Sequence, residues 1–227
     1  MLNRMTLSQK AFQVLKKMII TYELKPGERL DEKELLPMLS LSKSRTPIRE
    51  ALLSLHSEGL VDYHDHGGIY VKEISFKSVK DYFEALLPIG IAISQIAPLR
   101  ISTKQLQTLE EINQRLNKAI EARNYMDITI QNSLFHKYVA QTTNNSYLFS
   151  FLDRLENEGQ RLAFLCFSKE VSSNKTLDNH FQRVKKEHDT IIANLRIRDT
   201  ELFKETTVKH ILLFKSRITK YLTQLVY

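Results

Sequence analysis

Apolar residues fall into a helical rhythm almost from the start of the chain. Phe12, Leu15, Ile19 and Ile20 share one side of a segment from Leu7 to about Glu23, the spacing of an amphipathic helix. Lys25-Pro26-Gly27 closes that helix with a turn, and Asp31 is placed to cap a second one running to about Leu39. A third helix is predicted from Thr46, taken as its N-cap, with Pro47 at the first helical position. Ile48, Ala51, Leu52 and Leu55 form its buried face, and Gly59 stops it in a left-handed conformation. The period then changes: Leu60 to Tyr63 and Ile69 to Lys72 alternate like two short strands joined through His64-Asp65-His66-Gly67-Gly68. Three helices followed by a small β-hairpin predict a winged helix-turn-helix.

Around Glu73 to Ser78 the hairpin pattern gives way to unbroken helical periodicity, which divides the chain into residues 1–74 and 75–227. Helices are predicted at about 76–97, 103–122, 125–142, 146–168, 177–195 and 199–224, punctuated by Pro98, Arg123-Asn124, Thr143-Asn144-Asn145, Ser172-Ser173-Asn174-Lys175 and Arg198-Asp199. Leu106, Leu109, Ile112, Leu116 and Ile120 give one inner stripe. Short connections between such helices predict an all-α antiparallel bundle, so the fold class is mainly α: an N-terminal winged helix-turn-helix and a C-terminal helical bundle.

The chain has 227 residues, 42% of them apolar, enough for two modest cores rather than a disordered chain. Its net charge of +7 is not concentrated where the winged helix lies: residues 1–76 carry 11 Lys+Arg against 10 Asp+Glu, and the remainder carries 22 against 16. Local placement matters more than the sum. The lone Cys166 rules out an internal disulfide and reads as a buried, inert thiol suited to a reducing cytoplasm. The longest apolar run, Ala85 to Ile93, is short and broken by Pro88 and Gly90, so no membrane span is expected. A soluble, cytoplasmic protein is the expectation.

Arg45 and Arg49 stand four apart, on the side of the third helix away from its apolar face. Guanidinium forks suit phosphate oxygens and the O6/N7 edge of guanine, and the N–H groups of a helix N-terminus favour an anion. Taken alone, the pair also fits a solvated helix face. Cap, proline, apolar face, glycine stop and wing in register favour DNA binding. The region resembles the GntR family of bacterial transcription regulators, matching its Leu-x-Pro-Gly at Leu24 to Gly27, its acidic helix at Asp31 to Leu35, its Ser-Arg-Thr-Pro-Val-Arg-Glu-Ala-Leu at Ser44 to Leu52, and its wing glycine at Gly67. The resemblance implies contacts to double-stranded operator DNA from Ser44, Arg45, Thr46 and Arg49, from His66 and Gly67 at the wing tip, and from Lys33 on the preceding helix. Leu41-Ser42-Lys43 departs from the family pattern by two extra residues, and Lys43 adds a phosphate contact there.

In the second half the informative polar residues are Asn132, His136, His188 and His210. Asn132 and His136 share one face of a predicted helix, and the other two come from the last two helices. Converged in a bundle, three imidazoles and one oxygen suit a borderline divalent ion; a set of hydrogen-bonded core residues fits the spacing as well. Asn132-x-x-Phe135-His136, Asn144-Asn145, Leu148, Glu187-His188-x-x-Ile191 and Val208-x-His210 resemble the FCD effector domain of one GntR branch. That resemblance implies a divalent metal, Zn²⁺ foremost with Ni²⁺ or Mn²⁺ as alternatives, held by those four residues, with Asn132 where the family has aspartate. A neutral amide is the weaker donor, leaving more of the ion's charge for an anionic ligand. The family's effector-binding arginine on the first helix of this domain falls at Leu86, so Arg161 is the candidate replacement for contacting an acid, against its reading as a surface residue. His64 and His66 flank Asp65 in a manner open to surface chelation, though a groove-facing turn accounts for them; His56 and His180 read as solvent-exposed.

Together these features predict a homodimeric regulator, a repressor by resemblance, with one winged helix on each half of a palindromic operator and a small organic acid changing operator affinity. A metal-dependent enzyme is the rival, disfavoured because Glu187, next to His188, is expected to face away from the ion and leaves no convincing general base. A metal-independent sensor, with Asn132 and the histidines bonding the effector directly, is the other.

Overall fold

A computed structural model describes residues 5–39, 45–64, 67–169 and 174–224, which form nine helices and three short strands in two compact units, 1–75 and 76–227.

The first unit holds α1 (Leu7–Ile20), β1 (Arg29–Leu30), α2 (Glu32–Met38), α3 (Thr46–Ser57), β2 (Val61–Tyr63) and β3 (Ile69–Val71). Thr6 and Gln9 make a reciprocal capping box at the start of α1. Leu15, Ile19, Ile48, Leu52, Leu55 and Leu60 are fully buried together, so α1 and α3 share the core that fixes the direction of α3. The wing has one strand more than its pattern indicates: β1 pairs antiparallel with β3 (Arg29 opposite Tyr70, Leu30 opposite Ile69), giving the order β1-β3-β2. Gly27 enables it. At φ +76° its N–H donates to Val71 O at 2.8 Å, a backbone geometry that side-chain-bearing residues rarely adopt.

The second unit comprises α4 (Phe76–Arg100), α5 (Thr103–Glu121), α6 (Tyr125–Thr142), α7 (Ser146–Lys169), α8 (Asn174–Ile197) and α9 (Thr200–Gln224). Arg123, Asn144 and Arg198, all at positive φ, end α5, α6 and α8 and reverse the chain within two or three residues. The α4 helix does not stop at Pro98, contrary to the sequence pattern. The carbonyls at its end are captured from outside: Arg198 Nη1 donates to Leu99 O and Nη2 to Ile101 O, both at 3.1 Å; in the other direction Arg100 Nη1 of α4 donates to Thr143 O at the end of α6. Pro88 lies on the exposed side of α4, where solvent can meet the carbonyl its missing N–H leaves free. By length and apolarity α4 resembles a membrane span, but its buried residues, among them Phe83, Ile93 and Ala97, belong to the bundle core.

Candidate functional site

In the first unit, α3 begins one residue earlier than its sequence signals indicate. Arg45 is the N-cap in αR conformation, its carbonyl accepting from Arg49 N at 3.0 Å, and Thr46 is already helical. Thr46 is therefore no capping side chain; the helix starts without one, and Pro47 needs no partner for its nitrogen. Arg45, Thr46 and Arg49 are exposed at this end, while Ile48, Ala51, Leu52 and Leu55 are buried on the opposite side. Arg49 is not simply solvated: its Nε donates to Glu32 Oε1 on α2 at 2.8 Å, a partner that helical spacing within α3 does not disclose.

Lys33 is exposed on α2. Gly67 is exposed at the wing tip at φ +81°, its N–H donating to His64 O at 3.0 Å, and His64 packs its ring 4.5 Å from that of Tyr70. Lys43, Ser44 and His66 lie outside the described residues, as do Leu41 and Ser42.

In the second unit, α6, α8 and α9 bring His136, His188 and His210 together, with one ligand nitrogen from each lying within 4.8 Å of the others. His210 Nε2 stands 3.3 Å from His136 Nε2 and 3.4 Å from His188 Nε2. The far nitrogen of His210 is spoken for: Nδ1 donates to Glu187 Oε2 at 2.9 Å. Glu187 thus faces away from the three clustered nitrogens, as its place beside His188 suggested, yet it belongs to the site as the group that orients His210. A neutral imidazole carries one N–H, so this bond leaves Nε2 of His210 as a lone pair. Two more Nε2 atoms approach that lone pair, and His188 Nδ1 is buried without a hydrogen-bond partner among the described residues. Inward-facing ring nitrogens crowded in this way, with a carboxylate behind one ring, fit a cation bound by His136, His188 and His210.

Burial, and then the neighbouring His210, holds both His136 and His188 well below the usual histidine range. They stay neutral at physiological pH, the form in which imidazole donates to a metal. His188 is fully buried and stacks on Phe135, ring centroids 4.0 Å apart and planes 13° from parallel. Phe135 therefore fixes the plane of the His188 ring.

His136 and His210 border a cavity of about 110 Å³, which Asn132 also lines, one turn before His136 on α6. Most of its wall is apolar, including Leu86, Ile93, Phe135, Phe181 and Phe214. Tyr82, Thr129, Glu156, Gln160, His180 and Thr207 are the polar remainder, and no lysine or arginine is among the lining residues described. Burial pushes the Glu156 carboxyl up to about 8, so it carries a proton near neutrality. Cys166 is buried, its thiol pushed up to about 12 by burial, which makes it inert as its apolar surroundings indicated.

Two readings of the sequence are corrected here. Arg161 is not a surface residue: it is fully buried, pairs with Glu158 Oε2 at 2.9 Å one turn back on α7, and stands off the cavity wall that its neighbours Gly159 and Gln160 line. His180 is not solvent-exposed: it is 6% exposed and lies on the cavity wall. A signal for it existed, since His180, Val184, His188 and Ile191 form one stripe of α8. The charged and amide residues Asp178, Asn179 and Arg183 around it disguise that stripe as a polar surface.

Residues 81–213 match the family profile described as FCD domain, and residues 7–71 match the profile of bacterial regulatory proteins of the gntR family. The chain is 26% identical over 200 residues to the HTH-type transcriptional regulator YdhC of Bacillus subtilis, covering 88% of this chain and 85% of that protein. It is 24% identical over 204 residues to the HTH-type transcriptional repressor RspR of Escherichia coli, covering 90% of this chain and 85% of that protein. Among solved structures, McbR/YncC of E. coli shares the fold, with a TM-score of 0.79, 21% identity and coverage of 96% and 99% of the two chains.

Proposed function

Because the chain belongs to the GntR family of bacterial regulatory proteins and carries an FCD domain, we propose that it is an operator-binding repressor whose DNA affinity is set by a small carboxylate held in the helical unit at a divalent metal. Family membership makes it a transcriptional regulator and not an enzyme. The repressor assignment follows the similarity to RspR.

In this reading the exposed N-terminal end of α3 enters the major groove, with Arg45, Thr46 and Arg49 at the base edges and phosphates, together with Lys43 and Ser44 just before it. Lys33 and the wing residues His66 and Gly67 meet the backbone on either side. Two copies on one palindromic site make the working unit a homodimer, in the cytoplasm where the DNA is.

The observation that carries the metal reading is the convergence of His136, His188 and His210 nitrogens behind the Glu187–His210 bond. Asn132 adds an amide oxygen in place of a carboxylate, so these residues bring no negative charge of their own. A divalent ion, Zn²⁺ or else Ni²⁺ or Mn²⁺, supplies a positive charge to pair with an acid head group. The protein's own residues orient the imidazoles, keep those of His136 and His188 neutral and surround the remainder of the ligand with apolar wall. Zinc and operator binding are then linked through the same protein, and each must alter the affinity for the other when the acid is present.

The test is operator selection from random duplexes, followed by binding titrations with metal-free and zinc-loaded protein across a panel of organic acids. A shift in operator affinity that needs both zinc and one acid supports the proposal. An acid response that is unchanged without metal but lost in His136→Ala contradicts the metal in favour of direct bonding to the histidines.

A further inference from the structure

Several polar groups of the cavity are left over by the metal reading, among them Thr207, whose buried Oγ1 has no partner among the described residues, and His180. His180, on α8, is buried against ring neighbours Phe167 and Phe181, each with a centroid 5.7 Å away. It lines the cavity yet has no hydrogen-bond partner among the described residues, and it does not belong to the cluster of three converging histidines. Burial of an imidazole with neither nitrogen bonded is unfavourable unless something in the cavity meets it. Nothing in the packing demands a histidine here, since the pocket between two phenylalanines would accept an apolar ring of the same size.

The chemistry of the surroundings limits what that partner is. No lysine or arginine is among the described residues that line the cavity, and Glu156 on the same wall adds a carboxyl. A second anionic group on the ligand would be desolvated with no cation to pair it. His180 itself is neutral, held down to about 4 chiefly by burial, and offers one N–H and one lone pair. It matches an uncharged hydroxyl or carbonyl.

We propose that His180 is a specificity-determining residue of the cavity, hydrogen-bonding a hydroxyl or carbonyl on a monocarboxylate whose acid head lies at the histidine cluster. The acid head rests on the function proposed above; the hydroxyl or carbonyl preference is added by His180. Dicarboxylates are excluded by the same wall for want of a cation.

Calorimetric titration of the full-length zinc-loaded protein with matched probes tests this: phenylacetate against its 3- and 4-hydroxy derivatives, and hexanoate against 5-oxohexanoate and 6-hydroxyhexanoate, with succinate as the excluded class. At least one hydroxylated or oxo probe should bind about tenfold or more tightly than its parent, and His180→Phe, which keeps an aromatic ring there, should erase that difference while leaving zinc binding unchanged. Equal affinities within every pair, an unchanged preference in His180→Phe, or tighter binding of succinate would overturn the proposal. Zinc binding is measured on the same samples and the pairs are repeated on metal-free protein. Loss of the metal reading therefore shows as absent zinc, whereas failure of the His180 assignment shows as absent discrimination.

Discussion

Glu187 Oε2 accepts a hydrogen bond from His210 Nδ1 at 2.9 Å, and the opposite nitrogen of that ring stands within 3.4 Å of both His136 Nε2 and His188 Nε2. A carboxylate behind a ligand imidazole fixes the tautomer and raises the basicity of the ligating nitrogen. Glu187→Gln keeps the shape but weakens that role. We expect zinc affinity, read by competition with a chromophoric chelator, to fall about ten- to a hundredfold with little change in thermal stability of the metal-free protein. Unaltered zinc affinity would remove Glu187 from the site.

Glu156 carries the opposite consequence for pH. Its carboxyl is raised to about 8 in the folded chain from an ordinary 4.5, mainly by burial, so the native state holds a proton that the unfolded chain releases. Stability is therefore greatest below the unfolded value and declines as pH rises from about 4.5 to about 8, by at most about 5 kcal/mol. Glu156→Gln should flatten urea-unfolding free energies across that window and be the more stable protein at pH 8. A wild-type slope that survives the substitution would count against the buried acid.

The reading helix, its wing and the order of the bundle helices were legible because each depends on local chemistry: Pro47 and Gly59 bound one helix, and Arg123-Asn124 and Asn144-Asn145 separate others. What escaped depends on partners distant in sequence. Pro98 looks like a helix end, yet α4 runs to Arg100 because Arg198, about a hundred residues away, donates to its final carbonyls. The two residues of β1 are too short to show a period and exist only through their register with Tyr70 and Ile69. Thr46 carries every mark of a cap, but the αR backbone of Arg45 moves the helix start ahead of it. In the site, the grouping of His136, His188 and His210 could be anticipated from facing helices; the burial of His180 was carried by its α8 stripe but disguised by polar neighbours, whereas that of Arg161 depends on packing that periodicity alone does not specify.

The Arg49 Nε to Glu32 Oε1 bond, at 2.8 Å, holds the Arg49 guanidinium against an acid on the preceding helix. Binding to a phosphate or a guanine edge must compete with that carboxylate. Glu32→Gln should therefore tighten operator binding at low salt, by no more than about fivefold because exposed ion pairs are weak, and the advantage should shrink as salt rises. Weaker binding by this variant would show that Glu32 positions Arg49 productively and does not restrain it.

The most direct measurement compares wild type with Arg49→Ala on one selected operator duplex and on a scrambled duplex, by fluorescence anisotropy at fixed salt. The exposed arginine contributes nothing to the core, so the variant should fold normally, lose about ten- to a hundredfold in operator affinity and lose most of its preference over the scrambled sequence. A folded Arg49→Ala protein that binds the operator as tightly and as selectively as wild type would contradict the assignment of α3 as the DNA-reading element.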